Sequence, residues 1–548
     1  MTVHDMKNGG VLLEPAPALG RRFDLLSLAF AGLIAASLVP IWAFTYFPSQ
    51  DGPSHLNNAN ILRLYPWRDL ASFRDFYSIN LYPLPNWTVH LLLAGLMNVF
   101  PVLVAEKLFL SIYVVSYPLA FRYCARGITP AARVGAFLVF PLIFNFLLQK
   151  GYYNFSFSVV FYFICVGYWL RNRSDLTARK MASLSLLFIL LYFCHLVSTT
   201  LACVTIGVLW LWFSFVDLHR SENAASPVST SVWGASIGIA ARTLLAMLPV
   251  VSLGFWYVMH QGASAAGRRP ASQKFREIFT GEHAHQMREL LVWIPWESFL
   301  LGLTVCMLVM RVRSRVGGPR KQDGPLLVVA AMALIYLAVP SEIGQGGGIE
   351  PRMVLYLWLT LALWLAIQTY SQFVGRAIVA VAAAATLLLV SMNAITYSKV
   401  NGYLREYMTA APLIKSDSTL LSLDLEDKRG ILFVHPFQHA GSYIAAEREV
   451  VDFTNYEAGT DYFPIRYLPG ADPNTHMGDG EQRPYNINIL GYNKNSGRSL
   501  EYVLLWGGND PQTSERPDVK SIMGQLAAGY EQIYVSPQRG MVRLYHRK

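Results

Sequence analysis

A polytopic α-helical membrane protein with about eleven crossings, continued by a soluble α/β region, is the fold class that three features of the sequence predict. Hydrophobic residues make up 53% of the 548 and charged residues only 15%, against roughly a quarter charged in ordinary soluble chains. The apolar residues gather in blocks of about 16 to 25, enough to cross a hydrocarbon layer of roughly 30 Å. From Tyr397 onward the composition turns to that of a soluble region. These features exclude a large soluble enzyme. They also exclude a β-barrel, whose strands alternate polar and apolar over about ten residues.

The formal net charge of +10 comes from Lys and Arg beside the apolar blocks. It reads as membrane topology, with no basic stripe suited to nucleic acid. The first span, 24–44, follows Arg21 and Arg22, which sets the preceding residues in the cytoplasm and the segment 47–102 outside. Within that segment, 87–100 is apolar, interrupted by His90 and bounded by Pro85 and Pro101. It is too short to cross and predicts an interfacial or re-entrant helix. Spans follow at 104–123, 133–148 and 155–170, and the run 181–216 holds two helices turning near His195. Further spans at 243–259, 293–310, 325–339, 353–370 and 377–394 leave the C-terminus outside. The loop carrying Arg311, Arg313, Arg315, Arg320 and Lys321 is the clearest inner one.

Two domains are therefore expected: a transmembrane domain over 1–396 and an extracytoplasmic α/β domain over 397–548. In the latter, β-like runs stand at 430–435, 502–506, 532–535 and 541–546, with Pro537-Gln-Arg-Gly540 as a hairpin turn between the last two. Cys124, Cys165, Cys194, Cys203 and Cys306 all lie in or beside apolar blocks, none in a CxxC or Cys/His cluster. They encode neither a disulfide framework nor a zinc site.

The segment Phe47-Pro-Ser-Gln-Asp-Gly-Pro-Ser-His-Leu, just after the first span, places Asp51 and His55 around a tight Gly-Pro turn at the outer membrane face. A carboxylate held there can serve as a general base toward an acceptor hydroxyl or amine. The alternative is that Asp51 caps the helix that follows.

An acidic residue directly after the first span resembles the GT-C superfamily of integral-membrane glycosyltransferases, in particular the polyprenyl-phosphate-sugar-dependent aminoarabinose and mannosyl transferase type. Other motifs agree in order. Tyr82-Pro-Leu-Pro-Asn-Trp is similar to the start of that family's interfacial helix, and Val104-Ala-Glu-Lys-Leu-Phe to the polar entry of its second span. Glu350-Pro-Arg-Met-Val-Leu-Tyr-Leu-Trp-Leu resembles its late external loop, where an Arg precedes an apolar helix. The resemblance spans 20–395. It implies a GT-C-like fold and an inverting transfer of a sugar from a polyprenyl-phosphate donor to a glycan, lipid or protein acceptor at the external face. Asp51 would be the catalytic base. The chain departs from the family pattern at Gly52, where an acidic partner is usual, and in the loop Gln149-Lys-Gly-Tyr-Tyr-Asn, which has no carboxylate.

The substrate-binding candidates are His55, Lys150, Tyr153, Asn154, His195, Glu350 and Arg352. Arg352 can clamp the donor phosphate, since guanidinium pairs bidentately with phosphate oxygens and keeps its charge in a low dielectric. Its bland alternative is a snorkelling interfacial Arg, or one neutralised by Glu342 or Glu350. Lys150 offers a second positive charge, or a helix end beside an aromatic belt. His195 is a substrate contact or a packing histidine, and Glu106-Lys107 reads as an interfacial ion pair. His283 and His285 lack a third ligand, so no metal site is assigned; no cofactor is predicted, and the sequence does not decide whether a divalent ion assists. The competing function is a transporter or flippase of lipid-linked or small polar substrates. That reading requires ionisable residues at mid-membrane, whereas here the polar groups gather at one face. The cell setting implied is a bacterial inner membrane.

Overall fold

A computed structural model describes residues 24–130, 132–223, 229–261, 265–266, 269–279, 287–313, 318–343, 347–426 and 434–548. Among them, nine helices are long and apolar enough to cross a membrane: Leu25–Trp42, Val102–Ile128, Tyr153–Asp175, Leu196–Ser221, Val232–His260, Met287–Arg313, Lys321–Ala338, Ile349–Ala366 and Gln372–Leu413. The two remaining expected spans are shorter. Ala178–Cys194 has 17 residues, about 26 Å of helix. The other breaks into a 3₁₀ turn, Gly135–Leu142, and a one-turn helix, Phe146–Lys150. Pro141 and the side chain of Asn145, which accepts from the Leu147 and Leu148 amides, separate those two pieces. The expected interfacial helix is present as Thr88–Met97.

The first helix begins at Asp24, whose carboxylate caps it at Ser27 and pairs with Arg133. It packs against Gln372–Tyr407, which runs through the expected boundary at 397 without a break. Six residues before its end, Asn401 grips the chain leaving the first span at Tyr46: its side-chain amide donates to the Tyr46 carbonyl and accepts from the Tyr46 amide. Near its end Glu406, fully buried, accepts from Ser536 Oγ, the Arg539 amide and the Arg539 guanidinium at 2.7, 3.1 and 3.0 Å. The long helix thus fastens the last hairpin to the membrane part by charge-assisted bonds.

The C-terminal region holds a five-stranded sheet in the order Val451–Asp452, Thr419–Asp424, Tyr502–Trp506, Val542–Arg547, Tyr530–Val535. The first three strands are parallel and the last two antiparallel to their neighbours. The three later expected strands and the hairpin turn are all present. Most of the run expected at 430–435 lies outside the described residues.

This region is closely joined to the segment after the first span. Tyr77–Ile79 pairs antiparallel with Ile465–Tyr467, and helix Gly441–Arg448 lies on helix Gly52–Leu64. The latter helix buries Ser54, His55, Asn57, Asn58 and Asn60. Buried amides need partners, and most find them in the C-terminal region: Asn58 and Asn455 exchange two bonds of 2.9 and 3.0 Å, and Asn60 donates to the Ala446 carbonyl.

Candidate active site

The site starts from two loops held backbone to backbone. The Gln50 and Asp51 amides donate to the Gln149 and Lys150 carbonyls. Gly151 follows with φ +89°, and a Cβ there would stand 2.5 Å from the Gly52 amide nitrogen. Only a residue without a side chain fits this approach and this backbone angle. Tyr153 braces the junction, its hydroxyl bonding Ser49 Oγ and Glu106 Oε1 at 3.0 and 2.7 Å.

Asp51 occupies the N-cap position of helix Gly52–Leu64, yet its side chain makes no capping hydrogen bond. The carboxylate instead lines a cavity of about 340 Å³. Burial raises its pKa to about 6; the charges of Lys150 and His55 act against the rise and that of Glu457 adds to it. His439 Nε2 approaches at 3.8 Å. Burial and the Lys150 charge lower the pKa of His439 to about 4, so it is neutral near pH 7 and the contact is not an ion pair.

Arg352 lines the same cavity from the first turn of helix Ile349–Ala366. Its guanidinium lies 4.6 Å from the Tyr152 ring and 5.5 Å from that of Phe155, and one amine donates to the Gly347 carbonyl. The buried Nε finds no hydrogen-bond partner, and among the described residues no carboxylate pairs with Arg352. Glu350 does not neutralise it. Its oxygens face Arg269 Nε at 3.2 Å and the buried Lys274 Nζ at 3.4 Å. The side chain of Glu342 lies outside those described.

Of the residues anticipated from sequence, Asp51, His55, Asn154, His195 and Arg352 all line this cavity. Three do not. Lys150 acts on Asp51 only through its charge, Tyr153 is a brace beneath the loops, and Glu350 belongs to an ion-pair cluster beside the cavity. His195 interrupts the helices on either side, accepts from the Val197 amide, and is kept neutral by burial and the Arg352 charge. The anticipated Glu106–Lys107 pair is not formed: Glu106 accepts from Tyr153, and Lys107 donates to the Phe44 carbonyl. Adjacent helical residues point to different faces, so each found its own partner. His283 and His285 lie outside the described residues.

The opposite wall was not anticipated. Tyr456, Tyr462 and Phe463 come from the C-terminal region and, with Tyr152 and Tyr257, give the cavity an aromatic lining. Their only signal in the sequence is the dense aromatic and acidic run 453–463.

Neither a family model nor a curated protein sequence matches the chain. Among solved structures it is similar to the crystal structure of ArnT from Cupriavidus metallidurans bound to undecaprenyl phosphate. The TM-score is 0.50 at 10% identity, over 95% of this chain and 97% of that one. The chain has an ArnT-like fold. The helical membrane architecture with a sheet-bearing C-terminal region, anticipated from the sequence, is thereby shown at the level of fold. The ArnT-like match runs through both the helical part and the sheet-bearing region, since it covers nearly the whole length of each chain.

Proposed function

We propose that the protein is an inverting membrane glycosyltransferase that moves a sugar from a polyprenyl-phosphate donor to an acceptor at the external membrane face. One observation carries this reading: a carboxylate at an N-cap position that does not cap its helix shares a cavity with a guanidinium that no described carboxylate neutralises. Buried Arg without a counter-ion is costly, and an anionic ligand removes the cost. The fold agrees, since ArnT was crystallised with undecaprenyl phosphate.

In this reaction Asp51 takes the proton from the acceptor hydroxyl or amine as that atom bonds to the anomeric carbon. The bond from the anomeric carbon to the phosphate oxygen breaks on the opposite side. Arg352 pairs with the departing polyprenyl phosphate and stabilises its growing charge, with Lys150 adding to the local positive potential. The aromatic wall offers Tyr456, Tyr462 and Phe463 to the apolar face of the sugar. The segment 397–548 acts on the external side as part of this site, in a bacterial inner membrane.

The test uses the full-length protein in detergent with a synthetic polyprenyl-phosphate sugar. Asp51→Asn should abolish transfer while leaving donor binding in place; turnover equal to wild type in that variant overturns the assignment. Labelling of a cysteine introduced at the exposed Asp69, in the same segment after the first span, from the outside of intact cells should succeed. Labelling only from the cytoplasmic side overturns the proposed orientation.

A further inference from the structure

Three buried side chains from three separate segments converge beside the cavity. His55 belongs to helix Gly52–Leu64, His90 to helix Thr88–Met97, and Glu457 to the loop following strand Val451–Asp452. Each is 3% exposed or less. His55 Nδ1 stands 2.7 Å from Glu457 Oε1, His90 Nε2 stands 2.7 Å from Oε2, and the two ring nitrogens are 3.4 Å apart.

The outer side of the His90 ring is already committed. His90 Nδ1 lies 2.8 Å from the Asn86 carbonyl, with the Asn154 amide farther off at 3.4 Å. A carbonyl only accepts, so Nδ1 carries the hydrogen and Nε2 is turned inward. A ring N–H held by a backbone carbonyl, with the second nitrogen free to bind, is the arrangement that orients histidine toward a metal.

Two states satisfy this geometry. In one, both histidines are imidazolium and share one carboxylate, which sets two like charges 3.4 Å apart in a dry interior. In the other, one divalent cation replaces the two inner protons at the same total charge and without that repulsion. A further observation favours the cation. Although 2.7 Å from His55 Nδ1, the buried Glu457 Oε1 receives no hydrogen bond of proper direction. The atoms converge on a point and do not aim at one another. Ligands about 2.0–2.1 Å from zinc in a tetrahedron stand about 3.3 Å apart, close to the nitrogen–nitrogen spacing of 3.4 Å, while the two nitrogen–oxygen spacings of 2.7 Å would widen on binding.

We infer that His55, His90 and Glu457 form a binding site for a divalent first-row metal ion, zinc being the best match to two imidazoles and a carboxylate. Three protein ligands leave one position for water or another small ligand. The ion would clasp the C-terminal wall of the cavity to both helices, and through His55 it would fix the turn that presents Asp51. Its role is therefore positioning. The inference does not depend on glycosyl transfer, and its test reads metal alone.

Full-length protein purified in detergent should carry about one zinc per chain by elemental analysis. After chelation, adding back Zn²⁺ should raise the thermal midpoint by about 5 °C or more. Co²⁺ should give the visible absorption of a tetrahedral site. His90→Gln and Glu457→Gln should each lose the bound metal and the cobalt band. Wild-type protein with less than about a tenth of an equivalent, no thermal response and no cobalt spectrum would overturn the site in favour of the two-imidazolium network. Metal retained undiminished in both variants would overturn it too, since the ion would then sit elsewhere.

Discussion

Gly151 lies against Gly52, with room for no further atom between the two loops that meet at the cavity floor. The Asp51 amide is bonded across the same junction. The position of the carboxylate is therefore set by backbone contact with the second loop, independently of substrate. Gly151→Ala combines a φ of +89° with a clash at 2.5 Å, and a displacement of about 1 Å costs on the order of 100-fold in rate. Transfer by that variant should fall by about this factor at unchanged expression, as measured with the polyprenyl-phosphate sugar.

Raised to about 6 by burial, Asp51 changes its charge within an accessible range. A base works only when deprotonated, so transfer should be level above about pH 7 and fall about tenfold per pH unit below about 6. The measurement is the pH profile of turnover at saturating donor. Any residual rate in Asp51→Asn should lack this acid limb; an unchanged limb would assign the titration to another group.

Arg352 is expected to govern donor affinity. Hydrogen bonds to charged groups contribute about 1.5–3 kcal/mol, so Arg352→Gln should weaken polyprenyl-phosphate binding by roughly 10- to 100-fold. Arg352→Lys should recover only part of this, because an ammonium lacks the planar fork. Equilibrium binding of the lipid phosphate without acceptor separates this effect from catalysis.

Glu350 should behave in another way although it stands two residues from Arg352. It faces the buried Lys274 and Arg269, and removing one member of a buried pair costs about 3–5 kcal/mol. Glu350→Gln should lower the thermal midpoint markedly while correctly folded protein keeps its affinity for lipid phosphate. A selective loss of that affinity would return Glu350 to the binding site.

The helical part of this architecture was legible because each span is a continuous apolar block, and the cavity-lining residues at 51, 55, 154, 195 and 352 because polar groups at span ends are few. Membership in the site was harder to read than proximity to it. Tyr153 and Glu350 sit in the right loops but turn to structural partners, Lys150 reaches Asp51 only through its charge, and neither hydropathy nor charge spacing reports which way a side chain points. Asp51 was the reverse case: its place before Gly-Pro suggests a cap, and only the geometry shows that the cap is not made. Glu457 and the aromatic wall were hidden because hundreds of residues separate them from His55. His90 was visible only as an interruption of an apolar stretch, since the sequence carries no sign of what it would meet.

Tyr456, Tyr462 and Phe463 wall the cavity from the C-terminal side, so the sheet-bearing region supplies part of a chamber whose other walls are helical. On the proposed transfer, chimeras that exchange this region between related proteins would replace a surface touching the sugar. Specificity would then diverge by change in a segment beyond the membrane helices, while those helices, and the lipid phosphate they are proposed to bind, stay as they are.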